Sequence, residues 1–175
     1  MRTPLLLVSM VIASAALLAE SAAGLRWTAP AAWKAEAARP MRAATYSIPL
    51  APGDQGVAEC VVNFFGPGQG GGIDANVERW KGQVLGADGK PASSKIDKPA
   101  GKGVTITRVD ASGTYTGMGG PMNPGAKPAP GYRLIGAIAE GPGGNVFFKL
   151  TGPAKTIAAQ EKNFEQLLLS IQVDK

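Results

Sequence analysis

An α+β fold, a mostly antiparallel β-sheet flanked by helices, is what this sequence predicts, and three observations carry the prediction. Two apolar runs, Tyr132 to Glu140 and Asn145 to Leu150, are joined by Gly141-Pro142-Gly143-Gly144, which is hairpin chemistry. Val104-Thr105-Ile106-Thr107-Arg108-Val109 alternates apolar against polar, the period of a half-buried strand. Two stripes, Ile73/Val77/Trp80/Val84 and Ile157/Phe164/Leu167/Leu168/Ile171, recur at helical spacing instead. Hairpins give antiparallel pairing, and helices with one apolar stripe must lie against the sheet those hairpins build.

The N-terminus has the grammar of a signal peptide. Arg2 is a positive n-region, Leu5 to Leu18 is almost unbroken apolar, and Ser21-Ala22-Ala23 offers small residues at −3 and −1. The apolar run is shorter than the about 20 residues of a comfortable membrane span. The sequence therefore predicts a signal peptide at 1–23 and a single α+β domain at 24–175, starting at Gly24. It predicts a periplasmic or secreted location and no transmembrane segment after cleavage. Removing the leader takes away Arg2 and Glu20, one charge of each sign, so the net charge stays at +5.

After the leader, Leu25 to Ala29 reads as a short strand and Pro30-Ala31-Ala32-Trp33 as a turn that pins an indole on the domain. Alanine-rich Lys34 to Arg39 is expected to make one helical turn before Pro40. Met41 to Ile48 and Gly56 to Phe65 are expected to pair as a hairpin across the turn at Pro52-Gly53-Asp54. On the second of these strands Ala58, Cys60, Val62 and Phe64 share the more apolar face. A helix is expected from Ile73 to Leu85, with Asp74 as its N-cap or favouring its dipole. Lys90 to Lys102 should be an exposed connection. Val104–Val109 and Thr114–Thr116 should be strands separated by a bulge or bend. Gly117 to Gly131 should be a long loop, and Thr156 to Val173 the last helix, with Glu161 and Glu165 at polar positions, most of which face outward.

Composition excludes several chemistries. The chain has no histidine, so neither a Ser-His-Asp nor a Cys-His centre can form, nor any zinc or copper site that needs imidazole. Cys60 is the one cysteine, so no intramolecular disulfide exists, and its strand face predicts a small buried hydrophobe rather than a reactive thiol. The basic residues are scattered, without a run of Lys or Arg, which argues against a nucleic-acid arm. A solvated basic surface, or attraction to an anionic surface or acidic partner, fits the charge instead.

Gly66-Pro67-Gly68-Gln69-Gly70-Gly71 satisfies G-x-G-x-x-G between a predicted strand and a predicted helix. Such a loop could bring backbone N–H groups to an anion at a helix N-terminus, which makes Gly68, Gly70, Gly71 and Gly72 the candidate ligand-binding residues. Against this, the setting is a hairpin-rich sheet rather than a βαβ unit, and Asp88 falls in a turn instead of at a strand end. The expectation is a strand–helix connector, with an anion or small-ligand cradle as the alternative. Met118 and Met122, with Met41, are the soft ligands a Cu(I) site would draw on, but two methionines on a proline-rich loop do not make one. The carboxylates show no paired spacing. The sequence thus predicts no catalytic residue, no metal site and no cofactor.

Three short motifs resemble the PsbP/Mog1-like superfamily. Pro30-Ala31-Ala32-Trp33 resembles the Pro-x-x-Trp near the start of such domains. Asn76 to Gln83 resembles the helix after the second main strand, and Phe164-Glu165-Gln166-Leu167-Leu168-Leu169-Ser170-Ile171 resembles the closing helix. The resemblance implies an antiparallel sheet sandwiched by helices, in an accessory or binding domain without a common active site. It brings no functional residue with it. The function expected from the sequence is an exported accessory or binding domain without catalytic activity, whose partner is an envelope protein or an anionic surface and not nucleic acid. The alternative is a small-ligand or anion-binding protein or enzyme that uses loop 66–72.

Overall fold

The computed structural model describes residues 19–117 and 127–174. The elements in chain order are β1 (Ala19–Ala22), β2 (Leu25–Thr28), β3 (Lys34–Ala35), β4 (Arg42–Ser47), β5 (Glu59–Asn63), α1 (Ile73–Lys81), β6 (Val84–Leu85), β7 (Ser94–Asp97), β8 (Ile106–Tyr115), β9 (Ala129–Gly141), β10 (Gly144–Pro153), α2 (Ala154–Ser170) and β11 (Gln172–Val173). The main sheet runs β3-β4-β5-β10-β9-β8-β6, with β7 also paired to β8, and its named strands pair antiparallel. A small sheet of order β1-β2-β11 stands apart from it. The α+β class read from the hairpins and helical stripes is the class observed.

Alternation along the central strands divides the core in two. Phe148 of β10 is level with Val62 of β5 and Ala137 of β9, and Leu150 is level with Cys60 and Ile135. This face packs against Leu25 and Trp27 of β2 and against Ile157, Phe164, Leu167 and Leu168 of α2. The Trp27 ring meets Phe148 edge-on at 5.2 Å, and its Nε1–H donates to the Tyr46 hydroxyl at 2.9 Å. Residues one step along, Phe147, Ile138, Leu134 and Val109, point the other way and pack against Val77 and Trp80 of α1. Gly136 is the reason Trp80 fits: a Cβ there would lie 2.2 Å from the indole ring.

α2 is fixed at both ends by distant groups. It opens after Pro153, which has no side chain to cap it. Asp54, from the Pro-Gly-Asp turn, supplies the cap: its Oδ2 accepts from Thr156 N–H at 2.9 Å and from the Thr156 hydroxyl at 2.6 Å. Along the helix, Glu161 accepts from Arg133 of β9 at 2.9 Å and Glu165 from Arg108 of β8 at 3.4 Å. These carboxylates, at positions expected to face mostly outward, tie the helix to the sheet. Trp33 does pin the entry turn: its N–H reaches Pro30 O at 2.9 Å, and its buried ring stacks on Phe164 and donates to Gln160.

Four local expectations are corrected. Lys34–Ala35 is a strand rather than the start of a helical turn, and the Glu36 N–H bonds Thr45 O across to β4. α1 ends at Lys81, because Gly82 and Gln83 close the last turn onto Glu78 and Trp80; Val84 and Leu85 then pair with Tyr115 and Thr114. Val84 joins the same core cluster as Trp80, which is why the sequence places it on the helical stripe. Of the two roles expected for Asp74 the dipole one holds: it sits in the first turn of α1, and the N-cap position is Gly72. Lys90–Lys102 contains β7, and Ile106–Tyr115 is one strand with a register shift between Gly113 and Tyr115 rather than two.

The long-range cap gives a direct test. Asp54→Ala should cost about 1–2 kcal/mol in urea unfolding, since it strips the helix terminus and leaves the buried Thr156 hydroxyl with one partner fewer. An unchanged midpoint would mean that water caps α2 equally well.

Candidate functional site

The glycine-rich loop is held from inside. Gly66, Gly68, Gly70 and Gly71 all have positive φ, conformations that side chains rarely adopt. Asn76, buried in the first turns of α1, donates through Nδ2 to Gly70 O and to Gly72 O, both at 2.8 Å, and its Oδ1 accepts from Arg79. Gly70 is wedged against two rings, with a Cβ there 2.8 Å from both Phe65 and Phe147. Gly68 and Gly72 face open space, and Gly71 lies near the Asn76 amide. The four candidate glycines thus meet different needs. Gly70 admits a close approach of backbone to aromatic rings, while Gly68 and Gly71 supply turns. This geometry supports a connector pinned by Asn76, a residue whose role the sequence does not signal.

Cys60 is fully buried on the apolar face, where desolvation first, and then the Glu59 and Glu20 charges, push its thiol far up. Met41 is exposed and at positive φ, with its carbonyl accepting from Asn63 Nδ2. Met118 and Met122 lie outside the described residues. Among the described residues no cluster of three or more Cys, Asp or Glu is placed to hold a metal ion.

The site that sequence reasoning missed is Lys149. It lies on β10 between Phe147 and Thr151, level with Val61 of β5 and Gly136 of β9. Its side chain therefore stands on the face that α1 covers at the β8–β9 end. Nζ donates to the Tyr115 hydroxyl at 3.2 Å and lies 5.8 Å from that ring's centroid. Tyr115 in turn stacks on Tyr132, and the Tyr132 hydroxyl accepts from Val57 N–H at 3.2 Å. Among the described residues no carboxylate comes within salt-bridge distance of Lys149. Glu59, the nearest acid in its field, is paired with Arg42 at 3.8 Å.

The electrostatics follow from that arrangement. Burial pushes the Lys149 amine from the ordinary 10.5 down to about 8; Glu59 offsets this in part, and Arg79 and Arg42 add to it. Burial likewise pushes the Tyr115 phenol up to about 12, with help from the Glu59 charge. At neutral pH the pair is therefore an ammonium and a neutral phenol, a donor-rich centre whose lysine holds one hydrogen bond for three donors. The other partly buried cations are matched. The Arg108 guanidinium holds Asp97 below the usual carboxylate range, with a 2.9 Å bond from Nε, and Arg133 bonds Asp110 and Glu161.

A cleft of about 310 Å³ lies elsewhere, lined by Glu20 and Ser21 of β1, residues 36–39 and residues 42–45. One Glu20 carboxylate oxygen there is buried without a partner. Among the described residues no helix is long and apolar enough to cross a membrane.

No family model matches the chain, and no curated protein matches it. Among solved structures, one similar chain is PA94 of Pseudomonas aeruginosa, a protein of unknown function suggested to be a regulator. It is 14% identical, covers 85% of this chain and 91% of its own, and superposes with a TM-score of 0.45. A likeness at that level assigns no activity.

Two outcomes are expected here. Gly70→Ala should lower the Tm well beyond Gly68→Ala, since both are strained at positive φ but only Gly70 is walled in by rings; equal shifts would mean the loop is loose. Lys149→Met should raise the Tm at pH 7 by roughly 3 °C or more. Between about 8 and 10.5 the unfolded chain binds a proton that the folded lysine has released, so stability of the natural protein rises with pH through that window. The gain from Lys149→Met should therefore be largest below pH 8 and fade towards pH 10.5, and a gain flat across that range would place Lys149 in water.

Proposed function

We propose that this chain is an exported accessory domain of the PsbP/Mog1-like kind, an α/β/α sandwich without catalytic activity of its own, that holds an acidic group of an envelope partner at Lys149. One observation carries the reading: the half-buried Lys149 ammonium sits on the sheet bonded to a phenol, and among the described residues no carboxylate comes within salt-bridge distance of it. A buried cation of this kind costs stability, of order 3 kcal/mol for a shift from 10.5 to about 8. A carboxylate arriving from a partner would meet the free donors of Lys149 and the guanidinium of Arg42, and would recover that cost as binding energy. The net charge of +5 adds long-range attraction to acidic proteins or anionic envelope material.

The glycine loop, as a ligand cradle, is the weaker reading, because its carbonyls turn inward to Asn76 and its middle is filled by Phe65 and Phe147.

The test is calorimetry on the exported protein with a short glutamate-rich peptide, with NAD, ATP and inorganic phosphate alongside. The peptide should bind the natural protein at pH 7 and lose about tenfold in affinity in Lys149→Met, and it should weaken as pH rises through about 8. Equal binding by the two proteins would reduce the effect to general charge attraction. A micromolar constant for a nucleotide that Gly68→Ala, at a position open to solvent, abolishes without a matching fall in Tm would hand the function to the loop.

A further inference from the structure

The N-terminal strand and the expected processing site compete for the same residues. β1 pairs with β2 through four positions, Ala19 with Thr28, Glu20 with Trp27, Ser21 with Arg26 and Ala22 with Leu25. The two-residue turn between them is Ala23-Gly24, with φ of 54° and 72°. Two left-handed residues in succession make the tight turn whose twist matches a hairpin. The turn is also bound to the rest of the fold. Ala23 O accepts from Gly143 N–H at 2.8 Å, and Gly24 O accepts from Asp174 N–H at 2.9 Å. A Cβ on Gly143 would strike the Ala23 backbone, so the two turns are in close contact.

The strand is part of the core as well as of the small sheet. Ala22 and Ala23 pack on the buried cluster that holds Leu25, Trp27 and Phe148. The Glu20 carboxylate lies at the Tyr46 hydroxyl, and it adds to the burial that pushes that phenol up, against the pull of the Trp27 indole N–H. Glu20 and Ser21 also line the cleft together with residues 36–39. A cut between Ala23 and Gly24 would sever the hairpin at its turn, delete β1, make the central strand β2 an edge and open the Trp27–Tyr46 pair to water.

An earlier peptide bond has the same small-residue pattern and precedes β1. Ala13-Ser14-Ala15 places small residues at −3 and −1, and Leu5 to Ile12 ahead of it is an apolar stretch of the length that a signal h-region needs. Resting on the export reading, we propose that signal peptidase cleaves between Ala15 and Ala16, so that the mature protein begins at Ala16 and keeps β1. Hydrolysis consumes one water, which supplies the new carboxylate of Ala15 and the new amine of Ala16. The mature chain then retains Glu20, one of the residues that line the cleft.

The experiment is intact-mass measurement and N-terminal sequencing of the exported protein, made from the full chain and from two single variants, Ala15→Leu and Ser21→Leu. A bulky residue at −1 or −3 blocks signal peptidase, and residue 15 lies outside every described element. The expected result is a natural protein that starts at Ala16, an Ala15→Leu precursor that accumulates uncut, and a Ser21→Leu protein cut like the natural one. A start at Gly24, with Ser21→Leu left uncut and Ala15→Leu cut normally, would overturn the site while leaving export standing. A chain that keeps Met1 and stays inside the cell would overturn both.

Discussion

The constraint on which this structure depends is that β9 and β10 are buried on both faces. Ile135, Ala137 and Ala139 look one way and Leu134 and Ile138 the other; Val146, Phe148 and Leu150 look one way and Phe147 the other. A sheet with two apolar faces must be covered twice. One cover is α1, short and anchored by Trp80 over Gly136. The other is a composite of α2 and the small sheet, joined to the main sheet by Trp27 against Phe148 and Tyr46. The chain needs its N-terminal and C-terminal segments together to complete that second layer, since β11 pairs with β2. This is why residues 19–28 matter to a core built mostly from the second half of the chain.

The charges are arranged unequally around the same sheet. Under α2 they are matched. Arg108 and Arg133 project from neighbouring strands, each pairs with an acid from β7 or β8, and each reaches a glutamate one turn apart on the helix, Glu165 or Glu161. Such partly buried, multiply bonded pairs fix how the helix sits more than they add stability. On the opposite face Lys149 has a phenol for a partner and, among the described residues, no acid within salt-bridge distance. The asymmetry lies in the pairing: Arg108 and Arg133 are each matched by two carboxylates, whereas the Lys149 amine bonds a phenol.

Local chemistry was readable where the signal was local. The hairpin at Gly141–Gly144, the hairpin of β4 and β5, the strand face of Cys60 and the burial of Trp33, Trp80 and Phe164 follow from turn residues and periodicity alone. Errors gathered where a non-local partner decided. Val84 keeps helical spacing with Trp80 because both reach one cluster, yet the chain has already left the helix to pair with Tyr115. Lys34-Ala35 has helix-compatible composition, but β4 offers an open edge. β7 is a polar segment with no alternation to announce it, and it exists because β8 has a free side. At the candidate site the motif drew attention to the glycines, while the residue with the unusual environment, Lys149, carries no motif: it is one lysine in an apolar strand.

By itself the sequence determined the class of fold, the identity of the main anchors and the chemistries that cannot occur, because a missing histidine, a lone cysteine and an apolar period are properties of composition and local order. Only the tertiary structure decided which segments share a sheet, that Asp54 caps a helix about a hundred residues away, that Glu20 stands against Tyr46, and that Lys149 loses water without gaining a carboxylate. Those facts depend on distances between residues far apart in the chain. Burial and the low dielectric that comes with it arise only when several elements close over one group, so the charge state of a lysine is decided by the assembled layers rather than by its neighbours in sequence.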